Sequence, residues 1–348
     1  MQIQAEPLTQ LTSRIFAASG CDDAEAHCIA HHLVDANLCG HDSHGVIRVG
    51  QYLGYVKANT LKPGQQITVT FENDCIAVVD GNLGFGQTIG EQAMKLLTQK
   101  ATKQGLALMT LGNTGHVGRL GAWAERLAER DLISIHFVSS TGLGMLAMPF
   151  GGSDRRLSIS VICMCVPVAG RDPILLDTTT TTTAEGKLQV ARNKGVPVPE
   201  GFIVDKDGNP TTDANDFYDG GAILPFFGHK GHGFNILADM LCGALSGSGC
   251  TRPGTTTLVN TMTSIAINPS EFTNREAYIA ELKRFSDWVT GSPPSQPDGR
   301  VLLPGQIELE TRVERRQKGI PLDDNTWSQL TESGLSVGLD QSDFEQYN

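Results

Sequence analysis

The sequence lacks the features that mark membrane, secreted and disulfide-rich proteins. No stretch of the 348 residues approaches about 20 uninterrupted apolar residues, so we predict no membrane-spanning helix. The first residues include Glu6 and Arg14 and form no continuous apolar segment, which argues against a signal peptide. None of the 8 cysteines forms a Cys-x-x-Cys pair, and their spread through apolar stretches predicts reduced, buried thiols in a cytosolic protein.

Positive charge is also scarce. Lys and Arg number 27 against 38 Asp and Glu, which gives a formal net charge of −11. Nucleic-acid binding needs clustered Lys and Arg that neutralise phosphates, so we exclude nucleic acid as the main partner. An anionic small substrate is not excluded, because it responds to local charge. The apolar content of 40% and the length predict a globular protein of two domains.

Hydrophobic periodicity divides the chain into segments of different texture. Helical spacing dominates residues 1–60 and returns at 276–290, whereas the middle alternates short β-like runs with helices, as in α/β proteins. We therefore predict an α/β protein in which both chain ends, 1–73 and 276–348, form a helical domain around a central α/β domain, 74–275. Within the middle, the pattern predicts helices near 88–104, 118–130 and 233–245, and strands at 105–111, 132–138, 158–166, 174–177 and 263–268.

The familiar nucleotide-binding motifs fail when they are tested. Gly186 and Lys187 are followed by Leu188 and lack the upstream glycine of a P-loop. The segment 142–147 has Rossmann-like glycine spacing, but Pro149 lies where the phosphate-binding helix should run, and proline inside a helix costs roughly 3 kcal/mol. No acidic residue follows at the distance that would hold a ribose. A nucleotide site in this chain is therefore predicted to be of a non-Rossmann type.

The densest polar cluster is Gly-His-Asp-Ser-His-Gly at 40–45, followed by Arg48. An arginine can hold a carboxylate through two parallel hydrogen bonds, and a histidine can give a proton to a developing alkoxide. His44 and Arg48 stand four residues apart, which suits the two ends of one 2-keto acid. Ser43 and Asp42 could orient the His44 ring.

Two other interpretations of this cluster stay open. Asp42 or Ser43 could simply begin a helix and leave the histidines exposed. Cys39, His41 and His44 could also bind a metal, although their spacing fits no structural zinc pattern and a fourth ligand is not evident.

Two further glycine-flanked histidine loops follow apolar runs and precede apolar helices. The loop 112–119 contains His116, and the loop 228–233 contains Lys230. Turns of this kind commonly bind ligands in α/β proteins, and the start of the second helix would suit a phosphate or carboxylate. Ordinary solvated turns are the alternative for each loop.

Several separated motifs together resemble one family. They are 40–45 with Arg48, 115–119, 149–152, 173–177, 195–201, 207–213, 228–231, 302–305 and 319–322. Over nearly its whole length the chain resembles the malate/L-lactate dehydrogenase type 2 family, which includes sulfolactate, ureidoglycolate and diketogulonate dehydrogenases.

The resemblance implies a homodimer with a non-Rossmann nicotinamide-binding α/β domain that takes NAD or NADP, and no metal. It implies a proton donor at His44 in some members and at His116 in others. It also implies that the cofactor is lined by His116, Ser140, Asp177, Thr178, Thr179, Lys230, Gly305, Gln306 and Ile307.

The chain departs from the family at two places near the expected site. Relatives usually carry Gly-Thr-Asn-Pro where this chain reads Leu-Ser-Ile-Ser at 157–160, and Asp-Met-Ala-Thr-Ser where it reads Asp-Thr-Thr-Thr-Thr at 177–181. Both departures bear on substrate identity and on activity.

The leading hypothesis is a dehydrogenase that interconverts a 2-hydroxycarboxylic acid and its 2-keto acid by hydride transfer. In this hypothesis His44 protonates the oxygen, Arg48 holds the carboxylate, and Ser43 and His116 assist. The alternatives are a relative that only binds nicotinamide or keto acid, and a metal-dependent hydrolase that uses the cluster 39–44.

Overall fold

The computed structural model describes residues 1–255, 257–345 and 347, with the backbone alone for Leu143. The helices are α1 Ala5–Ala18, α2 Asp23–Leu38, α3 Val49–Lys57, α4 Gly86–Gln104, α5 Leu120–Ala128, α6 Glu185–Lys194, α7 Ala214–Tyr218, α8 His229–Asp239, α9 Arg275–Thr290, α10 Gln306–Lys318, α11 Asp324–Ser336 and α12 Ser342–Glu345. The strands are β1 Gln2–Ile3, β2 Thr68–Glu72, β3 Ile76–Asp80, β4 Leu106–Thr114, β5 Ile133–Thr141, β6 Met145–Ala147, β7 Leu157–Ser158, β8 Val161–Val166, β9 Ile174–Thr179, β10 Ile203–Val204, β11 Pro210–Thr211, β12 Ala222–Ile223, β13 Val259–Ile267 and β14 Ile320–Pro321. Among the described residues, no helix combines the length and the apolar character needed to cross a membrane.

A seven-stranded sheet forms the centre of the molecule, with strand order β2-β3-β4-β13-β5-β8-β9. Strands β3 and β4 pair in parallel, and the other neighbours pair in antiparallel. Helices α4 and α5 cover one face, where Leu97 and Trp123 pack on Met109 and Leu111 of β4. Helix α8 and the π-helical turn that continues it to Ala244 cover part of the other face. The central strands and helices lie where the periodicity predicts them.

A second core brings the two ends of the chain together. Side chains of α1, α2 and α3 pack with residues from near the C-terminus, among them Ile320, Leu330 and Phe344. Strands β1 and β14 pair in antiparallel, with Gln2 opposite Pro321. Strand β2 belongs to the central sheet although it precedes residue 74. The division into a terminal helical domain and a central domain stays a prediction.

A small lobe that we did not predict lies beside the central sheet. Its five-stranded sheet has the order β11-β10-β12-β6-β7, and α6 and α7 accompany it. A separate core, which includes Leu188 of α6 and Phe217 of α7, holds the lobe together. Its strands are only two or three residues long, so they carry almost no alternation that a sequence pattern could reveal.

Helix α10 is not among the helices whose bounds the sequence pattern predicts. Helix α10 contains no buried residue and is rich in charge, so it has no apolar stripe. Ion pairs attach it to the rest of the protein: Arg315 binds Asp42, and Arg312 binds Asp35 and Glu125. Because α10 packs through charged side chains, the spacing of apolar residues in the sequence does not reveal it.

A buried charge cluster joins the terminal helices to the central domain. Arg119, which precedes α5 and has a side chain only 2% exposed, contacts Asp35 of α2 at 3.1 Å and Glu125 of α5 at 2.7 Å. Arg312 contacts the same two carboxylates at 3.2 and 2.9 Å. Two guanidinium groups therefore share two carboxylates. Burial removes water from these charges, so each one depends on the opposite charges to offset its lost hydration.

Candidate active site

A cleft of about 1140 Å³ lies where the three cores meet. Pockets for single small molecules usually measure about 300–1,000 Å³, so this cleft has room for a small acid beside a larger ligand. Predicted site residues from distant parts of the sequence line it, namely Ser43, His44, Arg48, His116, Ser140, Asp177, Thr178, Thr179 and Ile307.

Two histidines from separate loops meet in the cleft. The rings of His44 and His116 stack with their centroids 5.4 Å apart and their planes 28° apart. Nδ1 of His44 lies 3.0 Å from Oγ of Ser43, and Nδ1 of His116 lies 2.7 Å from the hydroxyl of Tyr52. With both Nδ1 atoms engaged, Nε2 of each ring is the nitrogen that can face a ligand.

The hydrogen bonds around Tyr52 define the proton position on His116. Nε2 of Gln87 donates to the Tyr52 hydroxyl oxygen at 3.2 Å and to the His116 carbonyl at 3.3 Å. The Tyr52 hydroxyl hydrogen is then left for Nδ1 of His116, which accepts it. A neutral imidazole that accepts at Nδ1 carries its hydrogen at Nε2. His116 therefore presents an N–H to the cleft.

Both rings are held in the neutral form. Burial, and then the charge of Arg48, lower the pKa of His116 to about 3. Burial also lowers the pKa of His44 well below its usual value, with His116 and Arg48 as further causes. Two stacked rings beside an arginine cannot both carry positive charge at low cost. Near neutral pH this part of the cleft thus combines the positive charge of Arg48 with two neutral imidazoles.

The loop that carries His44 is fixed from behind by α2 and α10. Asn37 donates to Asp42 at 2.7 Å and accepts from the backbone N–H of Val46 at 2.9 Å. Arg315 donates to Asp42 at 2.6 Å. A side chain at Gly45 would place its Cβ 2.1 Å from the amide oxygen of Asn37, so only glycine fits this turn. These contacts therefore hold the loop in one conformation against α2 and α10.

Arg48 is held by three neighbours. Its Nε donates to the carbonyl of Ser43 at 2.6 Å, one terminal nitrogen donates to Gln51 at 2.9 Å, and the other donates to Glu185 at 3.3 Å. A guanidinium has five N–H donors, so two remain without a partner among the described residues, one on each terminal nitrogen. This pair of donors matches the two oxygens of a carboxylate.

The cofactor residues implied by the resemblance divide into two groups. Ser140, Thr178, Thr179 and Ile307 line the cleft, as does Asp177. Lys230 is exposed at the start of α8, and neither it nor Gly305 nor Gln306 is among the residues that line the cleft. Gln306 instead donates to Glu310 at 3.0 Å.

Asp177 has a structural partner of its own. Its carboxylate accepts from the backbone N–H of Gly121 in the first turn of α5 at 2.7 Å. Burial raises the pKa of Asp177, and the nearby charge of His41 and the Gly121 N–H oppose that rise. A carboxylate at a helix N-terminus satisfies free N–H groups, so this residue stabilises α5 as well as lining the cleft.

Close backbone contacts shape the part of the cleft that follows β5. A Cβ at Gly144 would lie 2.4 Å from the Cβ of Ser140, and a Cβ at Gly142 would lie 2.2 Å from the carbonyl of Thr257. The Ser140 hydroxyl accepts from Asn260 at 2.7 Å. The turn therefore brings backbone and a held hydroxyl to the cleft surface, as a site for a polar ligand requires.

The departure at 157–160 is accommodated by a buried polar cluster. Ser158 lies 2.8 Å from Ser139, which donates to Asp239 of α8 at 2.7 Å. Ser160 donates to the Asn235 side chain at 3.1 Å. These groups are paired with one another beneath the cleft, and Ile159 lines the cleft between them. Ile159 therefore places an apolar side chain at the cleft wall.

The cluster 39–44 does not gather metal ligands. Burial raises the pKa of the Cys39 thiol to about 12, and its Sγ contacts Oδ2 of Asp35 at 3.8 Å. Nε2 of His41 faces Glu308 at 3.5 Å, and His44 contacts Ser43. In the described part of the chain, no three His, Cys, Asp or Glu side chains come together in a way that could hold a metal ion.

Sequence reasoning missed four residues that organise the site: Tyr52, Gln87, Glu185 and Tyr218. Tyr52 lies four residues after Arg48, so helical spacing could have placed it on the same side. The other three act through contacts between residues 29 to 137 positions apart in the sequence, which no local pattern reveals.

The chain is similar to known proteins over nearly its whole length. The family model of malate/L-lactate dehydrogenase matches residues 3–331. Hydroxycarboxylate dehydrogenase B of Escherichia coli (strain K12) is 36% identical over 353 residues, which covers 99% of this chain and 97% of the relative. The L-sulfolactate dehydrogenase of Methanocaldococcus jannaschii is 33% identical over 350 residues, covering 99% of each chain.

Solved structures agree with the fold. Sulfolactate dehydrogenase from Methanocaldococcus jannaschii superposes with a TM-score of 0.86 at 32% identity, covering 99% of each chain. Malate dehydrogenase from Pyrococcus horikoshii gives a TM-score of 0.88 at 27% identity, covering 98% of this chain and 96% of that one. The family match spans most of the chain, and the relatives match almost end to end. The chain therefore belongs to the malate/L-lactate dehydrogenase family.

Proposed function

We propose that the protein is an NAD- or NADP-dependent oxidoreductase that interconverts a 2-hydroxycarboxylic acid and its 2-keto acid. The observation that carries the proposal is one cleft that holds two stacked neutral histidines and an arginine with two N–H donors that no described residue accepts. A 2-keto acid needs a carboxylate receptor and a proton source within a few ångströms of each other. The family supports the reaction type.

Arg48 is the carboxylate receptor in this proposal. Its planar fork fixes the acid in one orientation, which a single ammonium group would not do. The nicotinamide, when bound, supplies or accepts the hydride at the carbon that bears the oxygen. The residues of the chain then have to bind the acid, orient it and move one proton at the oxygen.

We assign the proton to the histidine pair, with His116 as the ring that contacts the oxygen. The sequence alone favours His44. The contact of the Tyr52 hydroxyl with Nδ1 of His116 supports His116 instead, because it leaves the Nε2–H of that ring for the cleft. His44, held by Ser43, packs against the ring and keeps it in place. In keto-acid reduction the doubly protonated ring gives its Nε2 proton to the oxygen and keeps the hydrogen on Nδ1, which donates to the Tyr52 oxygen. Hydroxy-acid oxidation is the reverse step: the ring starts with its hydrogen on Nδ1, and the bare Nε2 accepts the proton.

Substrate binding adjusts the charge of this ring. Arg48 is one cause of the low pKa of His116. A bound carboxylate neutralises that positive charge, so the cost of protonating His116 falls. Binding of the acid therefore favours the protonated form of His116, which then protonates the keto oxygen of the same acid.

The remaining cleft residues suit a nicotinamide cofactor. Ser140, Thr178 and Thr179 offer hydroxyl groups, and Ile307 offers an apolar surface. Asp177 is proposed to contact the cofactor from the same wall. Lys230, Gly305 and Gln306 lie outside this lining, so we propose that they contact the outer end of the cofactor.

We also propose that the protein forms a homodimer through α8. Phe234, Leu237, Met240, Leu241 and Leu245 point outward with 39% to 59% of their surface exposed. A helix that is apolar on its outer face as well as its inner face usually has a partner. Replacement of Leu237 by Arg should convert a dimer to a monomer in sedimentation analysis, and a monomeric wild-type protein would refute the proposal.

The function is tested with the purified protein, both reduced nicotinamides and a panel of 2-keto acids with methyl, carboxymethyl and sulfomethyl substituents. We expect oxidation of one nicotinamide with at least one acid. The matching methyl esters should react poorly, because they offer Arg48 no carboxylate. Turnover of the esters at the rate of the acids would show that the carboxylate has no receptor.

A further inference from the structure

Glu185, the first residue of α6, touches the candidate carboxylate receptor from the small lobe. Its Oε2 lies 3.3 Å from a terminal nitrogen of Arg48. The two other partners of Arg48, Ser43 and Gln51, are close to it in sequence and lie on its own side of the cleft. Glu185 is 137 residues away, so of the partners that the described residues provide, it is the one that fixes the guanidinium relative to another lobe.

Glu185 is itself held in position. The hydroxyl of Tyr218, at the end of α7, donates to its Oε1 at 2.9 Å. Each carboxylate oxygen therefore has one partner, Arg48 on one side and Tyr218 on the other. Tyr218 is in turn covered by Arg192, whose guanidinium carbon lies 4.7 Å from the ring centre. The carboxylate has little freedom to turn away from Arg48.

The two lobes meet at this point without a gap. A Cβ at Gly186 would lie 2.5 Å from the Cβ of Ser43 and 2.8 Å from a terminal nitrogen of Arg48. The first turn of α6 therefore presses on the loop that carries His44 and Arg48. The side chains of Arg48 and Glu185 are only 12% and 23% exposed, so water competes weakly for their contact.

The donor count shows what this contact achieves. Ser43, Gln51 and Glu185 take one N–H each from three different nitrogens of Arg48. Of the five N–H groups, the two that remain are on different terminal nitrogens. Without Glu185, one terminal nitrogen would lose its fixed partner and the guanidinium could rotate.

We propose that Glu185, supported by Tyr218, is a positioning residue that orients Arg48 so that two of its N–H groups receive the substrate carboxylate. This inference rests on the proposed function, because it concerns the same substrate group. The competing interpretation is that Glu185 occupies Arg48 as an internal stand-in and must be displaced by substrate. The two interpretations predict opposite changes in KM.

The test compares Glu185→Ala, Glu185→Gln and Tyr218→Phe with the wild-type protein. The control is Glu200→Gln, an exposed glutamate in the loop after α6. KM for the keto acid, kcat, and cofactor affinity by nicotinamide fluorescence are measured for each. Thermal unfolding reports whether each variant is folded.

We expect Glu185→Ala to raise KM about tenfold, the effect of one charged hydrogen bond, with cofactor affinity unchanged. Glu185→Gln should recover most of that loss, because its amide oxygen still accepts from Arg48. Tyr218→Phe should raise KM about threefold, and it tests the same contact if Glu185→Ala does not fold. The control should match the wild type.

Several results would overturn the inference. An unchanged or lower KM in Glu185→Ala would show that the contact is idle or competes with substrate. An equal loss of cofactor affinity would show a general disturbance of the cleft. If the wild-type protein turns over keto acids and only these expectations fail, the proposed function stands. A wild-type protein without turnover on any acid overturns both.

Discussion

The hydroxyl of Tyr52 provides a sharp test of how the site works. Replacement of Tyr52 by Phe removes one oxygen atom, which lies 2.7 Å from Nδ1 of His116 and 3.2 Å from Nε2 of Gln87. The ring of Tyr52 is buried and its shape is kept, and Gln87 retains the His116 carbonyl as an acceptor. We therefore expect a stability loss of only about 1 kcal/mol.

The catalytic loss should be larger than the structural one. Nδ1 of His116 loses the hydroxyl that fixes the orientation of the ring, so in part of the population Nε2 turns away from the cleft. Complete removal of a general acid costs about 10²–10⁴-fold, and loss of orientation alone should cost about tenfold in kcat. His116→Ala should fall in the larger range, and His44→Ala should lose less than His116→Ala.

Tyr55→Phe is the matched control for this change. Tyr55 lines the same cleft, and we find no hydrogen bond from it to either histidine among the described residues. Steady-state kinetics and nicotinamide fluorescence are compared for both variants. An unchanged kcat in Tyr52→Phe, or an equal loss in Tyr55→Phe, would refute the role given to the Tyr52–His116 contact. A His44→Ala enzyme that is inert beside an active His116→Ala enzyme would move the proton donor to His44.

Three further predictions concern protonation, substrate binding and stability. Because the pKa of His116 is lowered to about 3 in the free protein, kcat/KM for keto-acid reduction should fall about tenfold per pH unit between about pH 6 and about pH 9, while kcat/KM for hydroxy-acid oxidation stays flat. A flat profile for reduction, with oxidation that rises with pH, would indicate a histidine with a raised pKa instead. Arg48→Lys should weaken transition-state binding of the acid by about 1–3 kcal/mol, measured as a lower kcat/KM, with little change in cofactor affinity. An equal loss of cofactor affinity would contradict the assignment. Asp35→Asn should lower the free energy of unfolding in urea by about 2–4 kcal/mol, because it leaves two buried guanidinium groups sharing one carboxylate. The control Asp287→Asn, in the exposed pair with Lys283, should lower it by less than about 0.5 kcal/mol. Equal losses would show that the buried cluster contributes no more than an exposed ion pair.

Apolar periodicity explains which parts of the fold were predictable. Helices α4 and α5 bury a regular stripe against the central sheet, so their spacing is visible in the sequence. Asp22 caps the start of α2, where its side chain accepts from the backbone N–H of Glu25. Helix α10 has no such stripe and docks through Arg312 and Arg315, which is why apolar spacing does not give its bounds.

The site was predictable in its chemistry but not in its assembly. The loops that carry His44 and His116 stand out by their glycines and polar residues, yet nothing local states that the two rings stack. The similar loop 228–233 lies at the start of α8, and its histidines are not among the residues that line the cleft. Contacts such as Arg48 with Glu185 depend on how the lobes meet, which only the three-dimensional structure shows.

The central claim is that the cleft transfers a hydride between a nicotinamide and the carbon next to a carboxylate. The direct test uses reduced nicotinamide that carries deuterium at the transferring position, with the 2-keto acid that reacts best. Mass spectrometry of the product then shows where the deuterium has gone. We predict one deuterium at C2 of the 2-hydroxy acid, with loss of the reaction in Arg48→Ala. A 2-hydroxy acid without deuterium, or oxidation of the nicotinamide without a reduced acid, would contradict the account.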